Sequence, residues 1–240
     1  MPQEILAANA LTTLSRVKLE LGIGDVVADD DYLRFQINVA TEMIEDWLGR
    51  RLDYGAGIVE RVPMYGGNRI VISRTPVWAV TKIEIVDGSA VVEDVDVSDV
   101  RIENPGAGFL YRRAGWAWAV PRPGGTIARD PLPGQEPQSV EVTYDGGYVL
   151  PAAGTVPAGT ERLPSVLERA LVLAVSTSYR QRGRDRTIKS ERLMSYSVAY
   201  GGAEGSQSSG DAFAKAALGG PFPAEVIAML RPYRRVRGAA

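Results

Sequence analysis

Asp29, Asp30 and Asp31 form the densest cluster of potential ligands in this 240-residue chain. Clustered carboxylates suit hard cations such as Mg²⁺ or Ca²⁺. Consecutive residues on a helix fan out around its axis, however, and do not meet at one point. The triplet therefore reads as a helix start, where acids favour the positive end of the dipole. Gly22-Ile23-Gly24 and Gly146-Gly147 are fragments of phosphate-loop patterns without the full glycine spacing or the Lys-Ser/Thr ending. Both are expected to be turns. Ser165, Ser178 and Ser195 lie in no nucleophile elbow. The chain has no histidine to activate them and no cysteine to replace them. The commonest general base and the commonest transition-metal ligand are thus both missing. Neither catalysis nor a bound metal or organic cofactor is expected.

Two groups of residues could bind rather than react. Tyr111, Trp116 and Trp118 beside Arg112 and Arg113 could stack on bases or sugars, although such residues more often cover one edge of a sheet. The second group is Arg180, Arg182, Arg184, Arg186, Lys189 and Arg192, against Asp185 and Glu191. A solvated helix end accounts for some of this charge. A surface facing phosphates, or the acidic body of a neighbouring copy, accounts for more. The net charge of −2 conceals the same asymmetry. Residues 1–161 carry 14 Lys and Arg against 23 Asp and Glu, net −9, whereas residues 162–240 carry 13 against 6, net +7. A basic end on an acidic body favours an acidic partner or head-to-tail contact between copies.

The elements that position these residues begin with a helix pair between Leu11 and Leu52. The first helix should start after Thr12 or Thr13 and stop at Gly22. The second should run from the acid triplet to a cap at Gly49, with Arg50 and Arg51 at its end. At about 100° per residue its Leu33, Ile37, Ala40, Ile44, Trp47 and Leu48 form one apolar stripe. Tyr32, Phe35, Val39 and Met43 form a second beside it, and Arg34, Asn38, Thr41, Glu42 and Glu45 fill the rest. One stripe suffices to meet a core. The second must meet another domain or, on our reading, another subunit.

From Ile58 the period becomes alternating. Val59–Met64, Arg69–Ser73, Val77–Val86, Val91–Val97, Arg101–Glu103, Phe109–Arg112 and Ser139–Tyr144 read as strands, with hairpin signals at Gly66-Gly67 and Asp87-Gly88. Gly115–Pro137 reads as a long loop and Pro151–Glu161 as a linker. A third helix should open near Pro164 and end at Gly183, followed by an extended piece from Ile188 to Tyr200. A Gly-, Ser- and Ala-rich stretch over 201–220 has the composition of a mobile segment. A short helix, Pro223–Leu230, then leads into a basic tail containing Arg231, Arg234, Arg235 and Arg237. The expected fold is α+β: a helical bundle of the N-terminal pair and a helix from the C-terminal half, with an inserted antiparallel β region and a mobile tail. Its units are residues 1–54, 55–150, 151–187 and 188–240. Composition is that of an ordinary globular protein, 45% hydrophobic and 23% charged. No apolar run approaches the roughly 20 residues that cross a bilayer, and the N-terminus has no secretory pattern. No membrane partner is expected.

Several blocks in order carry a family resemblance: Leu11-Thr12-Thr13-Leu14 to Leu21-Gly22-Ile23, the acid-rich start and the Ile44–Leu52 ending of the second helix; Ser73-Arg74-Thr75-Pro76-Val77 before a strand; Val140–Tyr148 before the third helix; and Arg182–Arg192 with Tyr196–Gly201. In this order the chain resembles the head–tail connector, or adaptor, proteins of tailed bacteriophages, prophages and gene-transfer particles. The Gly115–Pro137 loop departs from that pattern. The resemblance implies a structural virion protein at the capsid–tail junction, assembled in the host cytoplasm. It implies a ring, of twelve copies to match the portal, that extends the DNA channel and offers a platform for the next neck or tail protein. Its partners would be itself, the portal protein and that next protein, with DNA only as passing genome. Tyr32, Phe35, Val39 and Met43 would then form the subunit contact. Arg180, Arg182, Arg184, Arg186, Lys189, Arg231, Arg234, Arg235 and Arg237 would face the portal or the channel. The alternative from another class is a nucleic-acid-binding module using the same basic third.

Overall fold

Thr13 opens the first helix, as its side chain accepts a hydrogen bond from the Arg16 amide. In this computed structural model α1 spans Leu14–Leu21, and Gly22 closes it in the left-handed conformation (φ 70°). The structure describes residues 4–24, 26–64, 66–116, 120–121, 127–128, 138–182, 190–193, 196–199 and 222–234. Helix α2 spans Asp30–Leu48 and ends on left-handed Gly49, α3 spans Ser165–Arg180 after Pro164, and α4 spans Ala224–Leu230 after Pro223. α3 stops three residues before the expected Gly183, with Gln181 as its cap.

The helices share one core, in which Leu33, Ile37, Ile44 and Leu48 of α2 meet Leu167, Leu171 and Val175 of α3 and Val226 and Leu230 of α4. Ion pairs tie the helices at its margin. Lys18 of α1 reaches Asp30 of α2 at 2.9 Å, and Arg169 of α3 reaches Glu20 of α1 at 2.7 Å. Among the described residues no helix is long and apolar enough to cross a membrane.

The β region contains two principal sheets. Strands β1 (Gly55–Pro63), β9 (Ser139–Gly146), β3 (Val77–Asp87) and β4 (Ala90–Asp94) form one antiparallel sheet in that order. Strands β2 (Arg69–Val71), β6 (Phe109–Arg112) and β5 (Val100–Asn104) form the other. Along β9 every second residue is buried, so Val140, Val142 and Tyr144 face one shared core with Ile83, Leu110 and Trp116. Two short pairs complete the strands: β7 (Val120–Pro121) with β8 (Ile127–Ala128), and β10 (Ser190–Leu193) with β11 (Tyr196–Ala199).

The hairpin expected at Asp87-Gly88 is present between β3 and β4. The one expected at Gly66-Gly67 is not, because β1 pairs with β9 and β2 with β6. The glycines instead lie where the chain passes between sheets: the Met64 amide still bonds to Gln138, while Gly67 accepts from Trp116. Turn chemistry alone does not choose a strand's partner.

Gly146-Gly147 is the point where the β region meets the helices. Gly147 has φ +95°, and a side-chain carbon there would lie 2.2 Å from the Asp53 carbonyl oxygen. Only glycine permits that approach. Just beyond it, Tyr148 exchanges backbone hydrogen bonds with Leu52 and Tyr54 at 2.7 and 2.8 Å, and its ring enters the helical core. Arg50 at the end of α2 donates to Thr75, and Arg74 lies 3.6 Å from Asp53. The fragment expected to be a turn is therefore a tight crossing between the two regions.

Candidate assembly surface

Helix α2 is wrapped on most of its circumference, and what wraps each side differs. Its first apolar stripe enters the helical core, with Trp47 partly buried at the margin. The opposite flank holds the N-terminal segment. Asn38 accepts from the Ala7 amide and donates to the Ile5 carbonyl, both at 2.9 Å. The Thr41 hydroxyl accepts from the Leu11 amide, and Glu45 accepts from Asn9 at 3.0 Å and from the Leu52 amide at 2.8 Å. Asn38, Thr41 and Glu45 share one helical face, at i, i+3 and i+7. Together they hold the N-terminal segment from Glu4 to Leu11.

The second apolar stripe divides. Val39 and Met43 line an open groove of about 520 Å³ between α2 and α3, closed on its far side by Ala174, Ser178, Gln181 and Phe222. Tyr32 packs toward the core, 6.2 Å from the Tyr179 ring. Phe35 alone of the four stays open, 51% exposed. The exposed positions within α2 are Asp31, Phe35, Glu42 and Asp46. At i, i+4, i+11 and i+15 they fall on one straight ridge. This outer ridge is a single aromatic ring set among three carboxylates.

The acid triplet fans out as expected, each carboxylate taking its own partner. Asp30 pairs with Lys18, and Asp31 with Arg34 at 2.8 Å. Asp29 precedes the helix without capping it. Its carboxylate instead accepts from the Tyr179 hydroxyl at 2.6 Å and from Arg182 at 2.7 Å. The Arg182 guanidinium also lies over the rings of Tyr32 and Tyr179, at 4.9 and 5.4 Å. The Tyr179 hydrogen bond, then Arg182, holds the Asp29 carboxyl below the usual range. Asp29 in turn pushes the Tyr179 phenol and the Arg182 guanidinium up.

Of the basic residues singled out, Arg180 and Arg182 are exposed at the end of α3, and Arg182 is engaged by Asp29. Arg231 and Arg234 are exposed after α4, with Arg234 lying 4.8 Å over the Trp47 ring. Arg184, Arg186, Lys189, Arg235 and Arg237 lie outside the described residues. So do Trp118, Ser195 and the stretch 201–220. Trp116 is fully buried in the β core under Arg112, so it is not offered to a base or a sugar.

Residues 11–85 match the family model of the phage gp6-like head-tail connector protein. The match covers just under a third of the chain. The matched segment holds α1, α2 and the strands up to most of β3, so it contains the acidic ridge. No curated protein matches this chain's sequence. Its fold is similar to that of a chain in the neck of an empty GTA particle computed with C6 symmetry: 19% identity, TM-score 0.53, covering 99% of this chain and 96% of the other. It is also similar to a chain in the virion of a native gene transfer agent particle: 18% identity, TM-score 0.51, with 99% and 96% covered. At that identity the likeness is one of fold.

Proposed function

We propose that this protein is a head–tail connector, a ring-forming subunit of the neck, seated under the portal, that extends the DNA channel and presents a platform to the next neck or tail protein. Its place would be the virion, at the capsid–tail junction. The observation that carries the reading is the family match over the helix pair together with the ridge that α2 leaves uncovered. The similar chain sits in a neck particle solved with six-fold symmetry, which supports a closed ring; a twelve-subunit ring, fitting a twelve-fold portal, is compatible with that symmetry. Phe35 is the centre of the subunit contact, and Val39 and Met43 contribute through the groove. The cations at the ends of α3 and α4 face the portal or the passing genome.

The DNA-binding alternative is less well supported, since Arg182 is already neutralised by Asp29 and Trp116 is buried. Native mass spectrometry and negative-stain imaging of the purified chain, alone and with portal complexes, test the proposal. Closed rings in either sample are expected. A chain that stays monomeric and ignores the portal overturns it.

A further inference from the structure

We infer that the outer ridge of α2 docks on the basic corner after α4 of a second copy, with Glu42 and Asp46 facing the neighbour's Arg231 and Arg234. This rests on the ring reading and names the two surfaces that would form it. Four observations carry it. First, Asp31, Phe35, Glu42 and Asp46 are the exposed residues of α2, so the ridge carries acid around one uncovered ring. Second, among the described residues no ion pair within the chain uses Glu42 or Asp46, nor Arg231 or Arg234. Third, Arg234 is stacked on Trp47, which fixes the basic corner at the same end of α2 as Asp46. Fourth, Asp46 and Trp47 are about 100° apart around the helix axis, so the two charges face different directions.

A ridge and a corner that face different directions can meet head to tail, the ridge of one copy on the corner of the next. They make a heterologous contact, which closes into a ring when the rotation between copies allows it. Phe35 supplies the apolar centre of the contact, and the carboxylates supply its direction. The complementary charges also follow the division of the whole chain, net −9 before residue 162 and +7 after it.

Charge reversal tests the pairing. One variant carries Glu42→Lys with Asp46→Lys, and the other carries Arg231→Glu with Arg234→Glu. Each alone brings like charges together, and each should weaken self-association by about tenfold or more, measured by analytical ultracentrifugation. Mixed in equal amounts, the two restore complementary contacts at every junction and should assemble into rings of alternating subunits. Arg231→Glu alone, which leaves the Trp47 stack intact, should give an intermediate loss, and circular dichroism checks that all variants are folded. Wild-type rings that persist in both reversed variants overturn the pairing and leave the ring reading standing. Reversed variants that lose assembly but are not rescued by mixing also overturn it. A wild type that forms no ring, with or without the portal, overturns the ring reading and this pairing with it.

Discussion

Along β9, Val140, Val142 and Tyr144 turn inward one after another and meet residues of the second sheet, so the β core is closed by its own strands. Around α2, by contrast, closure is shared out: α3 and α4 take one side, the N-terminal segment takes another, and the outer ridge takes none. The difference lies in geometry. A strand has two faces, and a sheet that buries one leaves a polar face which needs no partner. A helix in a small bundle has a circumference, and each sector must be covered or be polar. An aromatic ring left among carboxylates satisfies neither condition, and that marks the ridge as unfinished in the monomer.

The sharpest way to break the contrast is Trp116→Ala. Removing a fully buried indole from the β core should cost about 3–5 kcal/mol, read by chemical denaturation. Trp47→Ala should cost less, about 2 kcal/mol, because its ring is only partly buried and stacked by Arg234. Phe35→Ala should leave stability within about 0.5 kcal/mol, as exposed positions do, while weakening ring formation. Equal loss of fold in Phe35→Ala and Trp47→Ala would erase the distinction between the two stripes.

A pH series sharpens the comparison on the β side. Burial, and then Glu60, push the Tyr144 phenol up to about 12. A group whose folded value is raised contributes stability that is fully present below its unfolded value, about 10. That contribution fades as pH rises from 10 through 12. The wild type should therefore lose melting temperature over that window more steeply than Tyr144→Phe. The smallest effect is expected on the helical side, where Asp29 is held low. Its contribution is present above the unfolded carboxylate value and is lost as pH falls through the lower folded one. Asp29→Asn should only flatten the acid limb of the melting-temperature profile slightly, because the pair is screened by solvent.

Much of this fold could be read from residue patterns. Thr13 and Gly22 bound α1, and Gly49 ends α2, because caps are local chemistry. β9 follows its alternation, whereas β4 is exposed throughout and the β7–β8 pair lies inside the Gly115–Pro137 stretch read as a loop; the mixed α+β class follows from helices and strands together. Strand partners were less legible: Gly66-Gly67 has the residues of a hairpin, but β1 belongs beside β9, a choice made by burial far along the chain. The candidate site was half legible. Of the four apolar residues beside the core stripe, Phe35 is exposed, and the other three are partly covered within the chain. The sequence could not show that Tyr32 would be claimed by Tyr179 and Arg182, since that partner is about 150 residues away. Nor could it show that Asn38 and Glu45 hold the N-terminal segment, because polar residues at helical spacing have the same pattern whether water or backbone satisfies them.

Covalent trapping across the ridge tests the central claim most directly. The chain has no cysteine of its own, so Asp46→Cys with Arg231→Cys introduces the sole pair. On mild oxidation during assembly, the account predicts a ladder of disulfide-linked species on a non-reducing gel, ending at the copy number of the closed ring. Monomer alone, from a variant that still assembles, would contradict it.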